Sequence, residues 1–297
     1  MATAVAPLRG QDTAERLARA TEHMNQGRLD RALREVAEVL RENPASSAAW
    51  KVRGEIHLRR AHLESALTAY QEASRLDPSD VDVLILIGDL LVRRSDRLEE
   101  ALQAYTHALA LSPENDRVLI SMGSIHERRE EWERAAARYR QVLQIDPNNV
   151  RARSSLGAVL FKTGQYEEAS DELRKAIELS PRDLRSRVFL GMSLNHLGRY
   201  EQALQGFKDS LLIDPHAANQ MIGVREQRPQ FERLTRIYAE AYDRSPREAG
   251  RSFDLAVIYY YAHDYDSAWK FLVKAENLRY PIPIEFKEVV YARRRTR

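Results

Sequence analysis

The chain has 297 residues, of which 43% are hydrophobic and 30% charged, and its 46 basic and 44 acidic side chains leave a net charge of +2. This is the balance of a foldable chain rather than a disordered one, and no stretch approaches the roughly 18 apolar residues that span a bilayer. Cysteine is absent, which excludes a disulfide framework, a thiolate zinc site and a cysteine nucleophile.

The opening residues, MATAVAPLRGQDTAERL, lack a basic start followed by an apolar run, so no secretory signal is expected. A cytoplasmic location follows as the expectation, with the periplasm as the alternative. Basic charge is carried by 39 Arg and only 7 Lys, the usage expected of a bacterium with a GC-rich genome. Residues 1–12 are read as a flexible N-terminus.

From Thr13 to Ala217 the chain repeats. Prolines fall at Pro44, Pro78, Pro113, Pro147, Pro181 and Pro215, separated by 34, 35, 34, 34 and 34 residues. Each follows Asn, Asp or Ser. A small residue stands 24 places earlier at Ala20, Gly54, Gly123, Gly157 and Gly191, with Gly88 one place further off. Alanine stands 12 places earlier at Ala32, Ala66, Ala101, Ala135, Ala169 and Ala203. Four residues after each alanine come Val36, Tyr70, Tyr105, Tyr139, Leu173 and Phe207. Such periodicity marks a stack of identical supersecondary units.

Each unit carries two apolar stripes at helical spacing, split by a short polar turn. Gly27, Gly164 and Gly198 supply the positive backbone angles that end a first helix. Each proline ends a second helix, because the residue before it is pushed out of the helical region. The small residues let the paired helices approach closely. The third unit holds one extra residue in the turn Arg93–Glu100.

Beyond Pro215 the pattern falters. Arg225 stands where a small residue is expected and Pro229 interrupts the stretch. Residues 218–248 are therefore read as a degenerate unit with a short or distorted first helix, and residues 218–230 as a candidate hinge. Residues 249–282 recover the pattern with Leu255, Ala256, Tyr259, Ala268, Leu272 and Ala275. Residues 283–297 form a capping helix and basic tail, which a terminal repeat needs to cover its open face.

The spacing resembles the tetratricopeptide repeat, whose unit reads W-x2-L-G-x2-Y, then A-x3-F, then P. Trp50, Gly54, His57, Ala66, Tyr70 and Pro78 carry it in the second unit, and Leu156, Gly157, Leu160, Ala169, Leu173, Ala176 and Pro181 in the fifth. The resemblance implies an all-α, right-handed superhelical solenoid of about eight helix-turn-helix units with a C-terminal capping helix.

Catalytic constellations are not found. The eight histidines are scattered and none forms an H-E-x-x-H pair. No phosphate-cradling glycine loop occurs, and acidic pairs such as Glu99 with Glu100 sit at second-helix starts, where they favour the positive end of the helix dipole. No enzyme activity, cofactor or metal is expected. Nucleic acid is not expected either: residues 281–297 carry a net +3 and the other residues a net −1, a basic tail rather than a phosphate-tracking face.

The resemblance further implies that first helices line a concave groove, with side chains from places 2, 5, 9, 12 and 13 of each unit. Place 2 gives Arg117, Arg151 and Arg185; place 13 gives Arg59, Arg93, Arg128 and Lys162. Places 9 and 12 turn apolar late in the chain, at Phe161 and Met192. Tyr260 and Tyr261 are read as surface residues of the eighth unit, since Tyr259 and Tyr265 occupy core places. The chaperone-tail clamp of some relatives is absent, because Leu17 and Thr21 stand where its Lys–Asn pair would be. No asparagine ladder occupies place 9.

The expected function is a non-catalytic scaffold or adaptor that captures a peptide or protein segment, with the arginine forks suited to an acidic or C-terminal segment. Two other readings stay open. One is an accessory subunit that presents substrates to an enzyme, for instance in envelope or polysaccharide assembly; the other is a self-assembling structural homo-oligomer. The helix-packing reading has a direct check: Ala169→Leu should overpack the fifth unit and lower stability by about 1–3 kcal/mol in urea denaturation.

Overall fold

A computed structural model describes residues 6–221 and 224–295. Among them are helices and turns, with no strand. The first repeat pairs α1 (Ala6–Asn25) with α2 (Leu29–Glu42), the second α3 (Ser47–Arg59) with α4 (Leu63–Leu76), and the third α5 (Val81–Leu91) with α6 (Leu98–Leu111). The fourth comprises α7 (Asp116–Arg128) and α8 (Trp132–Ile145), while the fifth pairs α9 (Val150–Lys162) with α10 (Tyr166–Leu179), and the sixth α11 (Leu184–His196) with α12 (Tyr200–Leu211). The seventh comprises α13 (Pro215–Gln220) and α14 (Val224–Arg244), and the eighth pairs α15 (Ala249–Tyr261) with α16 (Tyr265–Asn277). The final helix, α17, spans Ile284–Arg295. First helices begin one residue before each place-2 side chain in repeats two to six. The first repeat departs from expectation: α1 already begins at Ala6, upstream of Thr13. Residues 6–12 of the expected flexible N-terminus are thus helical, and residues 1–5 lie outside the described residues.

The helices gather into two compact bodies, one ending at Ile125 and one beginning at His126. In both, the paired helices touch where the first has no side chain. In the N-terminal body a Cβ on Gly54 would lie 2.6 Å from the Tyr70 ring, and one on Gly88 would lie 2.5 Å from Tyr105. In the C-terminal body a Cβ on Gly157 would lie 2.5 Å from Leu173, and one on Gly191 would lie 2.8 Å from Phe207. These are overlaps, so in these four repeats the A-x3-F side chain of the second helix rests on bare backbone.

The turns follow the same economy. Gly27, Gly164 and Gly198 take φ of 72°, 79° and 74°, as expected, while Ala61, Glu130 and His263 occupy the equivalent position at 58°, 58° and 59° without being glycine. The third repeat absorbs its extra residue in a 3-10 turn, Ser95–Arg97. Between repeats, the residue before each proline is extended: φ is −138° at Asn43, −133° at Asp77, −137° at Ser112, −127° at Asp146 and −137° at Ser180. Three residues later in each connection, Ser46, Asp80, Asn115, Asn149 and Asp183 accept hydrogen bonds from the backbone N–H of Ala49, Val83, Val118, Ala152 and Ser186, capping the next first helix. A further tie recurs at place 4, where Trp50 Nε1 donates to the Pro44 carbonyl at 2.9 Å. Arg187 Nε donates to Pro181 at 2.8 Å, and Arg153 reaches Pro147 in the same way. Arginine in the fifth and sixth repeats thus keeps the bond that Trp50 makes in the second.

The seventh repeat breaks this plan. Pro215 does not follow a second helix directly but opens a new one: Asp214 accepts from Ala217 N–H at 2.9 Å and Pro215 occupies the first turn. That helix, α13, has 6 residues. Pro229 does not end a helix, as its sequence position suggested, but lies inside the 21-residue α14. Residues 222–223, within the expected hinge, lie outside the described residues.

A 6-residue first helix cannot cover α12, and α15 supplies what is missing. Tyr260 and Tyr261, expected on the surface, are both 0% exposed. The Tyr261 ring packs 4.8 Å from Phe207 and 6.4 Å from Phe231, and its hydroxyl lies 2.6 Å from Ser210 Oγ. Tyr260 donates to the Pro215 carbonyl at 2.6 Å, and Asn219 Nδ2 donates to the Tyr260 carbonyl at 2.8 Å. The eighth repeat therefore packs on the sixth, and burial pushes Tyr261 far above the usual phenol range.

Helix α17 closes the C-terminal body. Phe286 and Val290 are buried, with Phe286 edge-on to Tyr260 at 5.1 Å. Its basic residues are engaged: Arg294 with Asp266 at 2.8 Å, Lys287 with Glu276 at 2.5 Å, and Arg293 with His216 at 3.1 Å. Two substitutions test the packing and turn arguments by urea denaturation. Gly157→Ala should lower stability by about 1–3 kcal/mol through overlap with Leu173. Ala61→Gly should raise it by up to about 1 kcal/mol by relieving left-handed backbone.

Candidate functional site

The tyrosines that rest on first-helix glycines determine the polar face beyond them. Tyr105 is buried, and its hydroxyl emerges beside α5, where it donates to Asp89 Oδ1 at 2.7 Å. Burial first, and then this bond, raises the Tyr105 pKa. The second oxygen of Asp89 pairs with Arg117. In the C-terminal body the buried Tyr139 donates to Glu127 Oε1 at 2.6 Å, and Glu127 Oε2 accepts from Arg185 Nη2 at 2.7 Å. Arg185 also donates to Ser155 Oγ at 3.2 Å and lies 5.8 Å from the centre of the Phe189 ring. It thereby spans from α11 across α9 to the end of α7. Tyr70 has no partner for its hydroxyl among the described residues. Its pKa rises to about 12, through burial and then the nearby Glu55.

These chains explain two of the three place-2 arginines. Arg117 and Arg185 each hold a carboxylate of an earlier first helix, although Arg117 keeps 63% of its side chain exposed. Arg151, between them in sequence, is exposed and makes no ion pair or hydrogen bond through its side chain among the described residues. At place 13, Arg59 donates to the Met24 carbonyl at 3.0 Å and pairs with Glu55 at 3.1 Å, closing the C-terminal end of α1. Arg93 is exposed without such a partner among the described residues. Arg128 and Lys162 are exposed, and both make interactions within the chain.

The apolar places do not form an open lining. Phe161 and Met192 are each 3% exposed. The Phe161 ring is enclosed by Phe189 at 5.6 Å, Tyr166 at 5.6 Å and His196 at 5.5 Å, and Tyr166 stacks on His196 at 4.2 Å. Together with Tyr260 and Tyr261, Phe161 and Met192 belong to the core and not, as expected, to a groove surface. The reason is the second helix: Leu173 and Phe207 carry no hydroxyl to the first-helix face, so apolar side chains seal it. The signal was present in the sequence, since tyrosine at the A-x3-F position coincides with Glu55, Asp89 and Glu127 at places 9 or 12. Among the described residues no group of His, Asp and Glu is placed to hold a metal.

A concave feature lies where no sequence motif pointed. In the C-terminal body a cleft of about 480 Å³ opens between α12 and α14, lined by Tyr200, Glu201, Ile237, Tyr238 and Ala241. A neighbouring one of about 360 Å³ continues it along Leu204 and Lys208 to Asp254 on α15. Asp254 is ion-paired with Lys208, and burial nevertheless pushes its pKa up, with Lys208 offsetting part of the rise.

The strength of the strap across α9 is measurable. A double-mutant cycle with Glu127→Gln and Arg185→Gln should give a coupling of about 1 kcal/mol, as for a partly exposed pair. Strictly additive effects would assign it none.

Tetratricopeptide repeat models match residues 17–81, 57–116, 85–150 and 126–184, together more than half of the chain. No curated protein matches. Among solved structures, a tetratricopeptide repeat protein from Parabacteroides merdae is similar over 95% of this chain and 97% of its own, with 19% identity and a TM-score of 0.59. MamA from Desulfovibrio magneticus is similar over 57% of this chain and 94% of its own, with 21% identity and a TM-score of 0.53. These likenesses concern the fold. With the repeat matches, the paired helices and the glycine–aromatic contacts in hand, the chain belongs to the tetratricopeptide repeat family.

Proposed function

We propose that this protein is a non-catalytic scaffold that captures an acidic or C-terminal peptide segment on the first-helix face of repeats five and six. Family membership supports the interaction role in general. The observation that carries the finer reading is Arg151, exposed and without a partner, while Arg117 and Arg185 at the same place already hold carboxylates. The chain's own Asp89 and Glu127 act as internal stand-ins for a partner carboxylate. Guanidinium forks at this place suit such groups in geometry and charge. A partner carboxylate would take Arg151 first and compete with Glu127 for Arg185. No helix among the described residues is long and apolar enough to cross a membrane.

Isothermal titration with a glutamate-rich peptide tests this. Arg151→Glu should weaken binding at least about tenfold, near 1.4 kcal/mol, and joint reversal of Arg151 and Arg185 should abolish it. Unchanged affinity in the double variant would sink the reading.

A further inference from the structure

The cleft between α12 and α14 exists because the seventh repeat is irregular. In repeats two, three, five and six a full-length first helix packs on the preceding second helix; here α13 has only 6 residues, and α12 lines the cleft together with α14. The open stretch runs from Gly198 to Lys208, about 15 Å at helical rise. That length accommodates a short peptide strand with one or two side chains inserted.

The charges around the cleft are unequal in availability. Lys208 is held by Asp254, Arg251 pairs with Glu248 at 2.5 Å, and Arg199 pairs with Glu167 at 3.5 Å. Glu201 sits on the wall shared by both parts of the cleft, exposed, with no ion pair among the described residues. Beside it stand the Tyr200 and Tyr238 rings. Burial, followed by the negative charges of Asp254 and Glu201, raises the Tyr238 pKa to about 12, so this phenol stays neutral at physiological pH. The chain itself shows what these rings accept: the Arg233 guanidinium lies 5.6 Å from the centre of the Tyr200 ring. A free carboxylate next to neutral aromatic faces, over the apolar Leu204, Ile237 and Ala241, is the complement of a guanidinium on an apolar stem.

We propose that this cleft is a second docking site, distinct from the first-helix face, which takes an arginine side chain of a partner peptide. Its guanidinium pairs with Glu201 and stacks on Tyr238, and flanking apolar residues cover Leu204 and Ile237. The site has the opposite charge preference to the arginine face, so one scaffold can hold two chemically different segments.

Fluorescence anisotropy with a labelled heptapeptide alternating leucine and arginine tests it, beside the same peptide with glutamate for arginine. The arginine peptide should bind saturably below about 1 mM, and the glutamate peptide at least about tenfold more weakly. Glu201→Lys, at an exposed position that leaves the fold intact, should weaken the arginine peptide by at least about tenfold, and Glu201→Gln by a smaller factor. Arg151→Glu should leave this binding unchanged, so this site and the arginine face fail separately. Equal binding of the two peptides, no saturable binding, an unaffected Glu201→Lys variant, or loss through Arg151→Glu would each overturn the proposal.

Discussion

An absent Cβ on the first helix of a repeat sets the distance between its two helices, and most of the structure depends on that contact. Where Gly54, Gly88, Gly157 and Gly191 leave the backbone bare, Tyr70, Tyr105, Leu173 and Phe207 lie directly on it. Any larger residue would have to push the helices apart, and close-packed interiors do not yield by fractions of an ångström without cost. Caps, turns and the residues before proline then aim the next pair of helices.

The same contact governs charge. A tyrosine at the A-x3-F position carries its hydroxyl to the first helix, where a phenol gains from a partner; Tyr70 finds none among the described residues, while Tyr105 and Tyr139 do. Asp89 and Glu127 provide it, and each carboxylate in turn engages an arginine from a later repeat. Leucine or phenylalanine at that position makes no such demand, and the face becomes apolar and closed around Phe161. The change from a polar to a sealed face along the chain is thus a consequence of one position on the second helix. Among the charges left without an ion pair in the described residues are Arg93 in the turn after α5, Arg151 on a first helix and Glu201 on a second, each with electrostatic free energy still to be gained from a partner.

Irregularity in the seventh repeat has two structural results. Shortening α13 removes cover from α12, and on one side the tyrosines of α15 fill the gap with rings and hydroxyl bonds. On the other side the gap stays open as the cleft beside α14. A protein interior cannot tolerate a void next to Phe207, because its lining loses dispersion contacts outright. A surface groove with a polar rim remains solvated and carries no such penalty.

Composition and spacing alone determined the number of repeats, the place of each helix start from repeat two to repeat six, the glycine turns and the final helix. These features are local: a proline, a glycine or a small residue acts on the backbone within a turn or two of itself, and a 34-residue period repeats that action. The early start of α1, the left-handed Ala61, Glu130 and His263, and the helix running through Pro229 were not legible, because none of these residues is of the type that marks such backbone locally. Tertiary structure alone decided which arginines are free and which tyrosines are exposed. Arg117, Arg151 and Arg185 are indistinguishable by place, and Tyr260 and Tyr261 fall on surface positions of a regular repeat. Their fates depend on side chains 28 to 58 residues away, and one-dimensional periodicity carries no information about contacts made across a break in the period.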